Sequence, residues 1–310
     1  MRLLSFGAAG LVVGTIALGA CGSDNAGGGT TPPSGLSPDG GTSTGNDSGG
    51  SNPGTTPDIV KKTSESMTVN GQNRVYILKV PTTFDKTKSY PLVMDLHGSP
   101  GDAAGQSGDG FENTSGQTAI IVYPQALNQD SGAWSWDQAS VAKDNQDIAM
   151  LEALPAELTK KGYTIDTTKV FGYGYSGGAF FLQVYQCLGA KALRAIASSA
   201  GGAPEFLVGP LGTSGPNDCV TCPGTPVPEL IMFGKNDGGD DGGGGNYQAL
   251  CQQQLSGCSQ NLTATTPTPC QTYDGCPADK PLEYCLIPGV GHENWSQAIT
   301  TSWGFFKTYL

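Results

Sequence analysis

The sequence predicts an α/β fold, with one mostly parallel central sheet covered by helices on both faces. Three observations carry that prediction. Apolar runs of strand length alternate along the chain with segments of helical periodicity. Two of the runs, "YPLVMDLHG" and "TAIIVYP", are apolar almost throughout, as strands buried on both faces are. The stretch able to fold, residues 58–310, has about the length of one such domain.

The elements follow in order. "NRVYILKVP" (73–81) alternates apolar and polar residues and is the first expected strand; "YPLVMDLHG" (90–98) and "TAIIVYP" (118–124) are the next two. A helix is expected over "DNQDIAMLEALPAELTKKG". Asp144 as N-cap with Asp147 three positions on resembles a capping pair, and Ile148, Leu151 and Leu154 keep helical spacing. Pro155 is a candidate kink and Gly162 the stop. "TTKVFGYGYS" supplies a strand and "GGAFFLQVYQCLG" a helix, with Phe180, Phe181, Val184, Tyr185 and Leu188 expected on one face. "LRAIASSAGG" and "PELIMFGKND" read as strands and "NYQALCQQQLSGC" as a helix. "LEYCLIPGVGH" is the last strand and "NWSQAITTSWGFFKTYL" the last helix.

The first 57 residues do not belong to this domain. "MRLLSFGAAGLVVGTIALGAC" has one basic residue, Arg2, then an apolar stretch too short to span a membrane comfortably. It ends in Leu18-Gly19-Ala20-Cys21, which resembles the lipobox of bacterial lipoproteins, where the cysteine is lipidated and becomes the new N-terminus. An ordinary secretory signal is the rival reading, and both export the chain. Residues 1–20 are thus expected to be a lipoprotein signal peptide and 21–57 a lipid-anchored linker. The linker is rich in Gly, Ser, Thr and Pro and has Leu36 as its only large apolar residue, so it cannot bury enough surface to fold. A coil of that length spans about 30–35 Å. The expected location is the cell envelope or the outside of the cell.

A net charge of −11, from 27 acidic and 16 basic residues, argues against a nucleic-acid partner. Of the nine cysteines, lipidation of Cys21 would leave eight, an even count that in an exported chain implies up to four disulfides. Seven of the eight lie between Cys219 and Cys285, so the bridges are expected to staple one loop-rich region; their pairing is open. "CVTC" (219–222) raises zinc, but no histidine lies near it and the compartment is oxidising.

Ligands of parallel sheets bind beyond the carboxyl ends of the strands. Four polar residues stand there: His97, Ser176, Asp237 and His292. Ser176 lies in Gly174-Tyr175-Ser176-Gly177-Gly178, a G-x-S-x-G motif between a strand and a helix. In such an elbow the serine is projected outward and the glycines let the chain pass without Cβ clashes. A serine hydroxyl needs a general base, and an acid to hold the base's tautomer. His292, in "PGVGHENW", is the expected base. His97, in "LHGSPGD", resembles a segment whose next N–H helps form an oxyanion hole, so the expected donors are Ser99 N–H and Gly177 N–H. Asp237 comes first after its strand and is the expected acid, with Asp240 in reserve. A calcium loop at "NDGGDDGGGG" matches neither an EF-hand nor a glycine-rich nonapeptide repeat. The chain order Ser176, Asp237, His292 is that of α/β-hydrolases.

The blocks "LHGSPGD", "WSWD", "DIAMLEAL", "KVFGYGYSGGAF", "PVPELIMFGKND" and "PGVGHENW" together resemble the secreted poly(3-hydroxybutyrate) depolymerase, feruloyl esterase and acetylxylan esterase family of α/β-hydrolases. The resemblance runs from about Val75 to Leu310. It implies a serine, an aspartate after an "HG-x-x-D" strand and a histidine before Trp as the catalytic triad, which fall on Ser176, Asp237 and His292. It also implies hydrolysis of feruloyl or acetyl esters on plant polysaccharide, or of a short hydroxyalkanoate polyester, with no metal or organic cofactor. Two positions depart from the family: Phe233 stands where a histidine is usual, and Ser99 where a cysteine is frequent. "GGDDGGGG" replaces the family's usual apolar stretch after the aspartate. Trp134, Trp136 and Trp295 are candidates for a platform under a sugar or phenolic ring; Trp136 is expected to pack instead, and Trp295 is the candidate substrate contact. A serine peptidase of the same fold and a non-catalytic surface binding protein are the alternative readings.

Overall fold

The computed structural model describes residues 61–310 apart from 131–132, 215–217 and 239–242. The expected signal peptide, Cys21 and the expected linker lie outside the described residues, as do Asp240 and Asp241.

Ten strands form the main sheet: β1 (Lys61–Val69), β2 (Gln72–Val80), β3 (Tyr90–Leu96), β4 (Ile120–Pro124), β5 (Ile165–Tyr175), β6 (Ala195–Ser199), β7 (Glu229–Gly234), β8 (Leu262–Ala264), β9 (Cys270–Tyr273) and β10 (Leu282–Ile287). Their spatial order is β1-β2-β4-β3-β5-β6-β7-β10-β9-β8. The six strands from β4 to β10 in that order are mutually parallel, and antiparallel pairs extend both edges. β1, β8 and β9 are additions to the expected strands. β8 is exposed throughout, and β1 carries "KKTSES", so neither has the apolar run that marks a buried strand.

Strand residues alternate between two cores. Leu92, Met94 and Leu96 of β3 pack with Leu151, Leu154, Phe181 and Leu182, which lie on helices α1 (Gln146–Lys160) and α2 (Gly177–Cys187). Val93 faces the other way, with Phe111, Tyr123, Phe171, Tyr173 and the aromatic residues of α4 (Ala298–Phe306). Helix α3 (Gly243–Ser256) covers β7 and β10.

Three expectations need correction. The N-cap of α1 is Asn145, not Asp144: the Asn145 side-chain oxygen accepts the N–H groups of Asp147 (3.1 Å) and Ile148 (3.0 Å). The Asp147 carboxylate does not reach back to the cap, because it is buried against Arg74 (2.5 Å) and accepts the N–H groups of Leu127 and Asp137. Helix α2 is buried on nearly its whole circumference, Gln183 and Gln186 included, whereas Phe180 and Leu188 are only half-buried. The last helix starts at Ala298; the preceding turn is closed by Ala298 N–H donating to Trp295 O at 2.8 Å.

The chain leaves β3 for β4 on one side, and later leaves β5 for β6 on the other. Between β3 and β5 the direction of winding reverses, which is where a parallel sheet opens a crevice. His97 follows β3 and Ser176 follows β5.

Candidate active site

Ser176 is the hinge between β5 and α2, with φ 50° and ψ −119°. A side-chain-bearing residue adopts positive φ only where its surroundings enforce it. Here they do. A Cβ on Gly174 would lie 2.6 Å from the Gly178 carbonyl, and one on Gly178 would lie 2.7 Å from His97 O. Ser176 N–H donates to Ser199 O (2.9 Å), and Phe180 N–H donates to Ser176 O (3.0 Å). The serine is 8% exposed, with its hydroxyl at the sheet's carboxyl end.

His292 Nε2 lies 2.8 Å from Ser176 Oγ, and His292 Nδ1 lies 2.8 Å from Asp237 Oδ2. Asp237 is held by the end of β7: Lys235 N–H donates to Ile287 O, Asn236 N–H to Val290 O, and Asp237 N–H to Gly234 O. Its carboxylate is 13% exposed, against 49% for the His292 side chain. His292 therefore stands at the mouth of the site and Asp237 behind it. This arrangement can relay a proton from the serine hydroxyl to the imidazole while the carboxylate supports the charged ring.

The segment after β3 closes the other side. A Cβ on Gly177 would stand 3.0 Å from Ser99 N, so the two expected oxyanion donors are neighbours. His97 is buried and apart from the relay. Its Nε2 accepts the Ala126 N–H (3.2 Å) and faces the Gln125 amide (3.1 Å), which leaves the proton on Nδ1 to donate to Gly98 O (2.7 Å). Burial pushes its pKa down, favouring this neutral form. Trp136 donates its indole N–H to His97 O (2.8 Å) and stacks on Phe181, so it packs as expected. Trp295 is half-buried against the core around α4, and Trp134 is half-buried against the opposite core.

Phe233 is buried under the start of α3, where Gly245 lies against its ring. The eight cysteines form four disulfides, Cys187–Cys222, Cys219–Cys251, Cys258–Cys276 and Cys270–Cys285. Both thiols of "CVTC" are thereby consumed. Among the described residues no group of three or more His, Cys, Asp or Glu is placed to hold a metal ion.

Sequence reasoning missed Tyr173, Tyr175, Ser199 and Asn294. Tyr173 OH and Ser199 Oγ both donate to Asn294 Oδ1, at 2.6 and 2.7 Å, and Tyr175 OH donates to His292 O at 3.0 Å. No periodicity or motif announces such contacts, because their partners lie about a hundred residues apart.

No family model matches the chain. A probable feruloyl esterase C of Aspergillus clavatus is 26% identical over 251 residues, covering 75% of this chain and 83% of the relative. Feruloyl esterase C of Emericella nidulans is 27% identical over 262 residues, covering 76% and 86%. Among solved structures, the acetyl xylan esterase from Aspergillus awamori superposes with a TM-score of 0.60 at 17% identity, over 78% of this chain and 99% of that one. The chain has the α/β-hydrolase fold. Ser176, Asp237 and His292 follow β5, β7 and β10 of the sheet, in the chain order expected of that fold.

Proposed function

We propose that the chain is a serine carboxylic ester hydrolase acting through an acyl-enzyme. The observation that supports this most is the unbroken line of hydrogen-bonding contacts from Ser176 through His292 to Asp237, at 2.8 Å each, on a strained turn. Ser176 Oγ attacks the ester carbonyl and His292 Nε2 takes its proton. The N–H groups of Gly177 and Ser99 receive the developing oxyanion, and Asp237 stabilises the imidazolium. His292 returns the proton to the departing alcohol. It then activates a water that releases the acid.

The substrates are feruloyl or acetyl esters on plant polysaccharide, or a short hydroxyalkanoate polyester, with Trp295 beside the base as the contact for the acyl or sugar ring. The names of the relatives favour the feruloyl esters. The chain is exported and held at the cell envelope through Cys21, with residues 21–57 as tether to the catalytic domain 58–310. Four disulfides suit that compartment.

A panel of p-nitrophenyl acetate and butyrate, methyl ferulate, acetylated xylan and polyhydroxybutyrate tests the activity and ranks the substrates. Failure of the folded protein on every ester overturns the proposal. Labelling with radioactive palmitate, present in the wild type and absent from Cys21→Ala, tests the anchor.

A further inference from the structure

His292 is carried by the loop after β10, yet its target Ser176 follows β5. Two strands, β6 and β7, lie between. At the usual spacing of neighbouring strands, three steps amount to about 14 Å. The loop must therefore turn back across the top of the sheet to deliver the base. Near its start it is held by Asn236 N–H, which donates to Val290 O (2.9 Å). A half-exposed imidazole at the far end of such a span needs a second anchor, close to the nucleophile.

Asn294, two residues beyond the base, meets that need. Its Oδ1 accepts from Tyr173 OH and Ser199 Oγ. Tyr173 is a buried residue of β5, three before Ser176. Ser199 is the last residue of β6, and its carbonyl accepts the Ser176 N–H. One residue thus fixes the backbone of the nucleophile through its carbonyl and the loop of the base through its hydroxyl. Tyr175 OH adds a third tie, to His292 O itself.

We propose that Asn294 is a positioning residue for the hydrolysis. Its side-chain oxygen, gripped by Tyr173 and Ser199, holds the His292 loop in register with Ser176. This rests on the ester hydrolase reading above. The effect is on alignment, so it belongs in turnover and not in substrate affinity. A misplacement of about 1 Å in such a site costs on the order of a hundredfold.

The test compares wild type, Ser176→Ala, Asn294→Ala, Asn294→Asp and the Tyr173→Phe/Ser199→Ala double variant, each as the full chain with its thermal midpoint measured. The substrate is p-nitrophenyl acetate. Asn294→Ala is expected to lower kcat roughly 10- to 100-fold with KM within about twofold. Asn294→Asp keeps an acceptor for both hydroxyls and is expected to stay within about fivefold of wild type at its optimum. Its acidic limb should move to higher pH, because a carboxylate near the imidazole favours the protonated ring. The double variant should lose as much as Asn294→Ala, and adding Asn294→Ala to it should cost little more, as for residues that act as one unit. Wild-type kcat in Asn294→Ala, a loss confined to KM, or an Asn294→Asp as impaired as Asn294→Ala overturns the inference. If wild type cleaves the ester and Ser176→Ala does not, such a result sinks the positioning role alone. If folded wild type cleaves no ester, the function falls with it.

Discussion

Glu229 opens β7 with its side chain fully buried, and none of the groups that hydrogen-bond it is a cation. Its Oε1 accepts from Gln183 (2.5 Å), Gln248 (3.3 Å) and Ser198 (3.4 Å), and its Oε2 accepts from Gln186 (3.0 Å). Burial pushes its pKa up from 4.5 to about 7, and these four neutral donors limit the rise. The sign follows from proton counting. Between the unfolded and folded values the native state keeps the proton that the unfolded chain has released. Low pH therefore favours folding, and the benefit is lost as pH rises through about 7. With those two values, about 2–3 kcal/mol present at pH 5 is gone by pH 8.5. Glu229→Gln keeps the shape and removes the titration. Buried Asp95, whose pKa is pushed well up by burial and by Asp109, contributes to wild type and variant alike and drops out of the comparison. Urea unfolding with the disulfides intact, at pH 5 and pH 8.5, should show wild type losing about 2–3 kcal/mol more than Glu229→Gln over that interval. Equal pH dependence in the two proteins would mean that Glu229 stays in one protonation state and that its amide cage has been misread.

Ser176→Ala should lower turnover by roughly 10⁶ while the fold persists, and His292→Ala should be about as damaging, since the two act as one unit. His97→Ala should act through the oxyanion loop and lower stability; an inactive His97→Ala beside an active His292→Ala would show the histidine roles reversed. Asp237→Asn should cost roughly 10⁴ in turnover on a soluble ester. Asp240→Asn and Asp241→Asn should each cost less than about tenfold, and a crippled Asp240→Asn beside a mild Asp237→Asn would move the acid along the loop. Alkylation under non-reducing conditions followed by mass spectrometry should label none of the eight cysteines from Cys187 to Cys285; two or more labelled thiols would contradict the four pairings.

The sequence made the parallel core legible because its strands are buried on both faces and so read as unbroken apolar runs, as in "LVM" of β3 and "IIV" of β4. The edge strands carry no such mark. β1 pairs along its whole length with β2, yet among its described side chains only Met67 and Val69 are buried. The cap of α1 is ambiguous in the sequence because Asp144, Asn145 and Asp147 all suit an N-terminus. What separates them is tertiary: Arg74 draws Asp147 into the core and leaves Asn145 to satisfy the helix N–H groups. In the site, Ser176, Asp237 and His292 could be picked out because each follows a readable strand. Asn294 could not, since its part depends on two hydroxyls that only the folded sheet brings to it.

The two halves of the site are built by different means. Around Ser176 the backbone is fixed by steric enclosure, with Gly174, Gly178 and the His97 segment so close that a single Cβ would collide. His292 is held by hydrogen bonds along a loop whose base is half exposed. Enclosure of that kind leaves the Ser176 backbone one conformation, whereas a tethered loop keeps its position only while each tether is made. Substitutions around the serine should accordingly be punished through folding and turnover together. Those in the histidine loop should be punished through turnover first, with stability little changed.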